Sequence, residues 1–189
     1  MTEFSKSELR STLRQHRRLL STDEQTAARQ KITRQVYTLP QWSGVRRIAI
    51  YHPADGEIGT EDIVQRCHSE GIAVYLPVLG PESSMVFAQW ASDEELLPNS
   101  FGIFEPPASA SHCAPAKLDI VFLPVIGWDR SGGRLGMGAG YYDRALAGIT
   151  GPLLVGLAHR GQEVDRIPQD SWDIPLDVIV TDAEIYRCR

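Results

Sequence analysis

The sequence predicts an α/β fold, a single domain over residues 1–189 with no visible internal boundary. Three observations carry that expectation. From residue 47 onward, short β-branched runs alternate with helical segments. Several of those runs are apolar on successive residues, as in strands covered by helices on both faces. Two Ser-x-x-Glu capping boxes precede every strand and announce a basic N-terminal helical pair.

The boxes are Ser5 with Glu8 and Ser21 with Glu24, each ahead of a run without Gly or Pro. They predict helices from Lys6 to Leu20 and from Thr22 to Thr38, the second closed by Pro40. On the first helix Leu9, Leu13, His16 and Leu20 form one stripe, and Lys6, Arg10, Arg14 and Arg17 form an adjacent one. Such a helix docks through its leucines and presents four cations together, or else carries an ordinary solvated face. Strands are expected at Arg47–Tyr51, Ala73–Leu76, Asp119–Val125, Leu153–Ala158 and Val178–Thr181. A helix from Thr60 to Glu70, ended by Gly71, joins the first two, and one from Tyr141 to Ala147 joins the third and fourth. Met85–Trp90 adds a strand, and Ser92–Lys117, with four prolines, reads as a long surface excursion.

Composition narrows the function classes. The longest apolar stretch, Ile120–Trp128, is broken by Pro124 and Gly127 and falls far short of the ~20 residues that span a bilayer. Cys67, Cys113 and Cys188 include no CxxC pair, which points away from a disulfide framework or a zinc site and toward a reducing, cytoplasmic setting. Glu3 and Glu8, with no apolar core behind them, argue against a cleavable targeting segment. The net charge of −5 is unevenly spread: residues 1–47 carry ten Lys/Arg against four Asp/Glu, and residues 48–189 nine against twenty. A basic lobe on an acidic body suits nucleic acid, a membrane surface or a small polyanion, and charge alone does not choose.

The densest chemical signal is SGGRLGMGAGYYDR, Ser131–Arg144, directly after a buried-looking strand. Gly132, Gly133, Gly136, Gly138 and Gly140 let backbone N–H groups converge on an anion ahead of a helix. The segment is neither a Walker A loop nor a GxGxxG fingerprint. Arg134 and Arg144 can supply charge there, and Asp143 offers a hard oxygen to a divalent metal. In YHPADGEIGT, Glu57 leaves the carboxyl end of the first strand, where open α/β sheets bind ligands, although Asp55-Gly56 is also an ordinary turn. In WDIPLDVIVT, Asp177 precedes a strand and is either a second oxygen ligand for a shared cation or a turn residue.

These segments resemble the 5-formyltetrahydrofolate cyclo-ligase family, also called methenyltetrahydrofolate synthetases. The likeness rests on KSELR, YHPADGEIGT, RLGMGAGYYDR and WDIPLDVIVT in that order, from Lys6 to Thr181, with the loop ending in GYYDR the most specific. It implies a mixed, mostly parallel sheet and an ATP- and Mg2+-dependent closure of 5-formyltetrahydrofolate to 5,10-methenyltetrahydrofolate, releasing ADP and phosphate. In that reaction the formyl oxygen attacks the γ-phosphate, and N10 then attacks the activated carbon of the phosphorylated imidate. The resemblance implies ATP contacts at Lys6, Ser7, Glu8, Leu9 and Arg10 and at Arg134, Leu135, Gly136, Met137, Gly138, Ala139, Gly140, Tyr141 and Tyr142. Folate contacts are implied at Arg10, His52, Glu57 and Met137–Tyr141, magnesium ligands at Asp143 and Asp177, and catalytic charge at Arg134 and Arg144. Some members have a lysine in the glycine loop where this chain has Ala139, so charge must come from Arg134, Arg144 or the first helix. The implied substrate is polyglutamylated, its tail suited to the basic helix, and the expected protein is a monomer with no nucleic-acid or membrane partner.

Two rival classes remain open at this point. One is a sugar-phosphate isomerase or CoA-transferase-like α/β enzyme, of which an isomerase would need neither ATP nor two metal-binding aspartates. A nucleotide- or RNA-binding module would want aromatics among the cations, and residues 6–34 contain none.

Overall fold

The computed structural model describes residues 5–189; Glu3, which entered the reading of the N-terminus, lies outside them. Both capping boxes form, and helices α1 (Lys6–Arg18) and α2 (Thr22–Val36) start where the sequence places them. The remaining helices are α3 (Glu61–Ser69) and α4 (Tyr141–Leu146). The strands of the main sheet are β1 (Arg47–Ala49), β2 (Ala73–Leu79) and β3 (Met85–Trp90). Two short strands, β4 (Leu97–Pro98) and β5 (Phe104–Glu105), pair within the proline-rich excursion, and β6 (His112–Cys113) returns it to the sheet. After β7 (Ile120–Pro124) comes a hairpin of β8 (Gly127–Trp128) and β9 (Arg134–Leu135). The chain ends with β10 (Leu153–Ala158), β11 (Val178–Thr181) and β12 (Ile185–Arg187).

The eight-stranded sheet runs β12-β11-β10-β7-β1-β2-β3-β6, parallel through its five central strands and antiparallel toward both edges. Alternation along each parallel strand divides the core into two layers. Ile48, Val74, Leu76, Ile120, Phe122, Val155 and Val180 face α2 and α3, which bring Ile32, Val36 and Ile63. Ala49, Tyr75, Val121, Leu123, Leu154 and Ile179 face the other way, where Leu146 of α4, Trp128 and Leu176 cover them. Helix α1 lies apart from both layers and docks with Leu9 and Leu13 against Ile126, Leu135 and Ile167.

That docking corrects the expected stripe. His16 is exposed and Arg17 is buried, so the inward face of α1 runs Leu9, Leu13, Arg17 rather than through His16. Steps of four residues return to one helical side, and a guanidinium occupies the last step because carbonyl and carboxylate partners await it there. The cysteines are all free thiols, and no described helix is long and apolar enough to cross a membrane.

Candidate active site

Strand β1 is followed in the chain by β2 on one side of it and flanked by β7 on the other, so the sheet's order reverses between β1 and β7. Loops leaving adjacent carboxyl ends at such a point diverge to opposite faces and open a crevice. A cavity of about 1220 Å³ lies there, bordered by Tyr51–Asp55 and Glu57 after β1, Pro77 and Leu79 of β2, and Pro124 at the end of β7 with Val125 and Ile126 beyond it. Further walls are the glycine loop from Arg134 to Arg144, Lys6 and Arg10 of α1, the segment Asp170–Ile174, and Phe101–Phe104 of the proline-rich excursion.

The glycine loop divides by role. Asp129 accepts hydrogen bonds from the N–H groups of Ser131 and Gly133 through Oδ1 and from Ile167 N–H through Oδ2, so Gly132 and Gly133 belong to the hairpin turn. Gly136, Gly138 and Gly140 line the cavity. Arg10 crosses this stretch, its Nε donating to the Gly136 carbonyl at 2.8 Å. Gly138 has φ +98°, a conformation that strains any other residue, and a Cβ there would also come within 3.3 Å of the Arg10 guanidinium. Arg134 is almost fully buried and donates to Asp143 at 2.6 Å, while its Nε has no partner among the described residues. Arg144 donates to the Ser83 and Ala139 carbonyls and lies over Tyr141, which straps the loop down.

On the opposite wall His52 is exposed and stacks 5.1 Å from Phe104, a residue of the proline-rich excursion. Glu57 is mostly buried, and burial pushes its carboxyl above the ordinary 4.5 despite the Ala54 N–H and the nearby Arg17 charge. Burial likewise raises the phenols of Tyr51 and Tyr142. At the mouth, Phe101, Phe104, Met137 and Trp172 are large apolar side chains left exposed together.

Several expectations need correction. Ser7, Glu8 and Leu9 do not reach the cavity: Glu8 closes the capping box, Leu9 packs inward, and only positions one turn apart, Lys6 and Arg10, face the site. The four cations are not presented together. Lys6 pairs with Asp170 and Asp173 at 2.7 and 2.8 Å, whereas Arg14, Arg17 and Arg18 all converge on Asp55. Asp177 does not share a cation with Asp143. It sits at the amino end of β11, with its carboxylate taken by Leu154 N–H and Arg189, while the cavity is at the carboxyl ends of the parallel strands. Asp170, Trp172 and Asp173 also line the cavity and no sequence pattern singled them out, although WDIPLD holds Trp172 and Asp173 in the same motif as Asp177. For Asp173, burial is the largest single influence and would raise the carboxyl, but the hydrogen bonds from Lys6 and the Asp170 N–H, with the Lys6 and Arg134 charges, together outweigh it and hold the group below 3.8.

A crevice at the switch point of a doubly covered α/β sheet, lined by cations, carboxylates and backbone glycines, is the usual place for a ligand site in α/β enzymes. The model of the 5-formyltetrahydrofolate cyclo-ligase family matches residues 2–182. The 5-formyltetrahydrofolate cyclo-ligase of Haemophilus influenzae is 35% identical over 186 residues, 95% of this chain and 100% of the relative. That of Escherichia coli K12 is 34% identical over 182 residues, 93% and 99% of the two chains. The NMR structure of Aquifex aeolicus 5,10-methenyltetrahydrofolate synthetase superposes with a TM-score of 0.86 at 33% identity, covering 97% of this chain and 93% of that one. The chain belongs to the 5-formyltetrahydrofolate cyclo-ligase family, which sets the isomerase and RNA-binding alternatives aside.

Proposed function

We propose that the chain, as one domain, catalyses the ATP- and Mg2+-dependent cyclisation of 5-formyltetrahydrofolate to 5,10-methenyltetrahydrofolate, releasing ADP and phosphate. The observation that carries this reading is one cavity whose two walls suit the two substrates: Lys6, Arg10 and Arg134 with the glycine loop on one side, His52 and Glu57 on the other. Nucleotide phosphates lie along the glycine loop, held by its N–H groups and by Lys6, Arg10 and Arg134. The folate enters past Phe101, Phe104, Met137 and Trp172, whose flat or polarisable side chains suit conjugated rings.

Phosphoryl transfer depends on positioning and charge neutralisation, and the chain supplies both. Glu57 and His52 fix the formylated ring so that the formyl oxygen faces the γ-phosphate in line with the bridging oxygen to the β-phosphate. Arg134 and Arg144 stabilise the charge that builds on the transferring group. N10 of the same folate then attacks the activated carbon, and phosphate departs.

Asp143 fits magnesium: its carboxylate borders the cavity beside the loop, and one carboxylate plus phosphate oxygens is an ordinary set for this ion. Among the described residues no three His, Cys, Asp or Glu side chains cluster to hold a metal by themselves, consistent with an ion that arrives on the nucleotide. Magnesium bound there supplies further neutralisation of the phosphates. A spectroscopic assay for methenyltetrahydrofolate tests the proposal: product forms only with both ATP and Mg2+, and turnover in EDTA without added metal overturns the requirement for the ion.

A further inference from the structure

Arg17 does not line the cavity, and its side chain is 0% exposed. A guanidinium cannot shed its charge, so a fully buried one persists only where acceptors surround it. Here Nε donates to the Asp55 carbonyl at 2.8 Å, one terminal nitrogen to Asp55 Oδ2 at 2.9 Å, and the other to the Val125 carbonyl at 3.4 Å. That last nitrogen also stands 3.9 Å from Glu57 Oε1. Val125 follows β7 and Asp55 follows β1, so one side chain joins the two strand ends that form the crevice.

The turn it grips is in an unusual conformation. Asp55 has φ +53° and Gly56 φ +74°, both in the left-handed region. A Cβ on Gly56 would approach the Arg17 carbonyl to 3.2 Å and its Cγ to 3.3 Å, so the turn is moulded on Arg17 itself. Gln25 of α2 and the His159 ring each reach the Gly56 carbonyl, at 3.2 and 3.3 Å. Glu57 is the next residue; its backbone N–H donates to the Ala54 carbonyl, and among the described residues its carboxylate accepts a hydrogen bond from Ala54 N–H alone.

We propose that Arg17 is a positioning residue: from a seat outside the cavity it holds the Asp55–Glu57 turn, and with it the Glu57 carboxylate, at the folate wall. The idea rests on the reading of Glu57 as a folate contact. It also ties that wall to α1, whose Lys6 and Arg10 border the nucleotide wall.

The test is a double-mutant cycle on the full chain with Arg17→Met, Glu57→Gln and both together, reading 5-formyltetrahydrofolate and ATP affinities by calorimetry and kcat against KM. Arg17→Met is expected to weaken folate binding about tenfold to a hundredfold, the worth of one charge-assisted contact, while ATP affinity stays within about threefold. The loss should fall on KM for folate more than on kcat. In the Glu57→Gln background the same change should cost less than about threefold, and Arg17→Lys, which keeps the charge without the fork, should recover part of the loss. An equal cost in both backgrounds overturns the proposal while leaving the role of Glu57 intact. Wild-type folate affinity for Glu57→Gln instead removes that role, and the proposal with it. If Arg17→Met does not fold, Asp55→Asn takes its place in the same cycle, with the same expected and overturning results.

Discussion

Arg134 and Asp143 form a 2.6 Å ion pair at the rim of the glycine loop, across nine residues of sequence, and Asp143 is further held by the Ile174 N–H. The cation suited to phosphate and the acid suited to magnesium are each other's partners. In the proposed reading Asp143 keeps its second carboxylate oxygen for magnesium, since Arg134 and the Ile174 N–H both meet Oδ1.

Asp143→Asn is therefore expected to lower kcat/KM for Mg-ATP by about tenfold to a hundredfold and to raise the magnesium concentration needed for half-maximal rate. Steady-state rates at several magnesium concentrations check this. An unchanged magnesium response would remove Asp143 from the metal site.

Lys6 makes two ion pairs with the segment that carries Trp172. Burial opposes its charge, but hydrogen bonds with Asp170 and Asp173 prevail and raise its pKa above 10.5. Because the groups are partly exposed, Lys6→Ala should cost no more than about 1 kcal/mol of stability. ATP affinity should fall about tenfold to a hundredfold if phosphate replaces the aspartates. Calorimetric titration alongside thermal melting separates the two effects, and wild-type ATP affinity would make the contact purely structural.

Leu13 is 6% exposed and sits among Ile126, Leu135 and Ile167. Leu13→Ala should lower stability by about 2 to 4 kcal/mol through a cavity beneath α1. Urea midpoints measure it; ATP affinity should weaken only as docking of the helix loosens.

Two carboxylates two residues apart should answer pH in opposite senses. Burial works against the Asp55 ion, but hydrogen bonds from Arg14 and Arg18, with the Arg17 charge, outweigh it and hold the group below 3.8. Its ionisation thus contributes stability that is full above 3.8 and lost as pH falls through the lower native value. Asp55→Asn should cost about 1.5 to 3 kcal/mol near neutrality and progressively less in acid. Glu57 is raised above 4.5 by burial, so stability is retained below 4.5 and lost as pH climbs through the raised value. Glu57→Gln should accordingly gain on the wild type between acid and neutral pH. Denaturant midpoints across that range decide both.

Local patterns are legible in the amino-acid sequence. Ser5 and Ser21 announce both helix starts, the β-branched runs announce the five parallel strands, and the glycines with Asp143 announce a ligand loop. Each is a short-range matter of capping, periodicity or backbone freedom. Strand β12 leaves no such mark, because it is three residues long and owes its pairing to β11 rather than to its own pattern.

The α/β class, the helix pair and the glycine loop are encoded by near neighbours along the chain. Which candidates meet depends on long-range packing. Helical period separated Lys6 and Arg10 from Ser7, Glu8 and Leu9, and the direction of β11 carried Asp177 to the end of the sheet away from the cavity. Arg17 looked like one more surface cation, yet acceptors from Asp55 and Val125, 38 and 108 residues away, made its burial tolerable. A buried charge is stable only with partners supplied by the rest of the fold, and no local pattern records them.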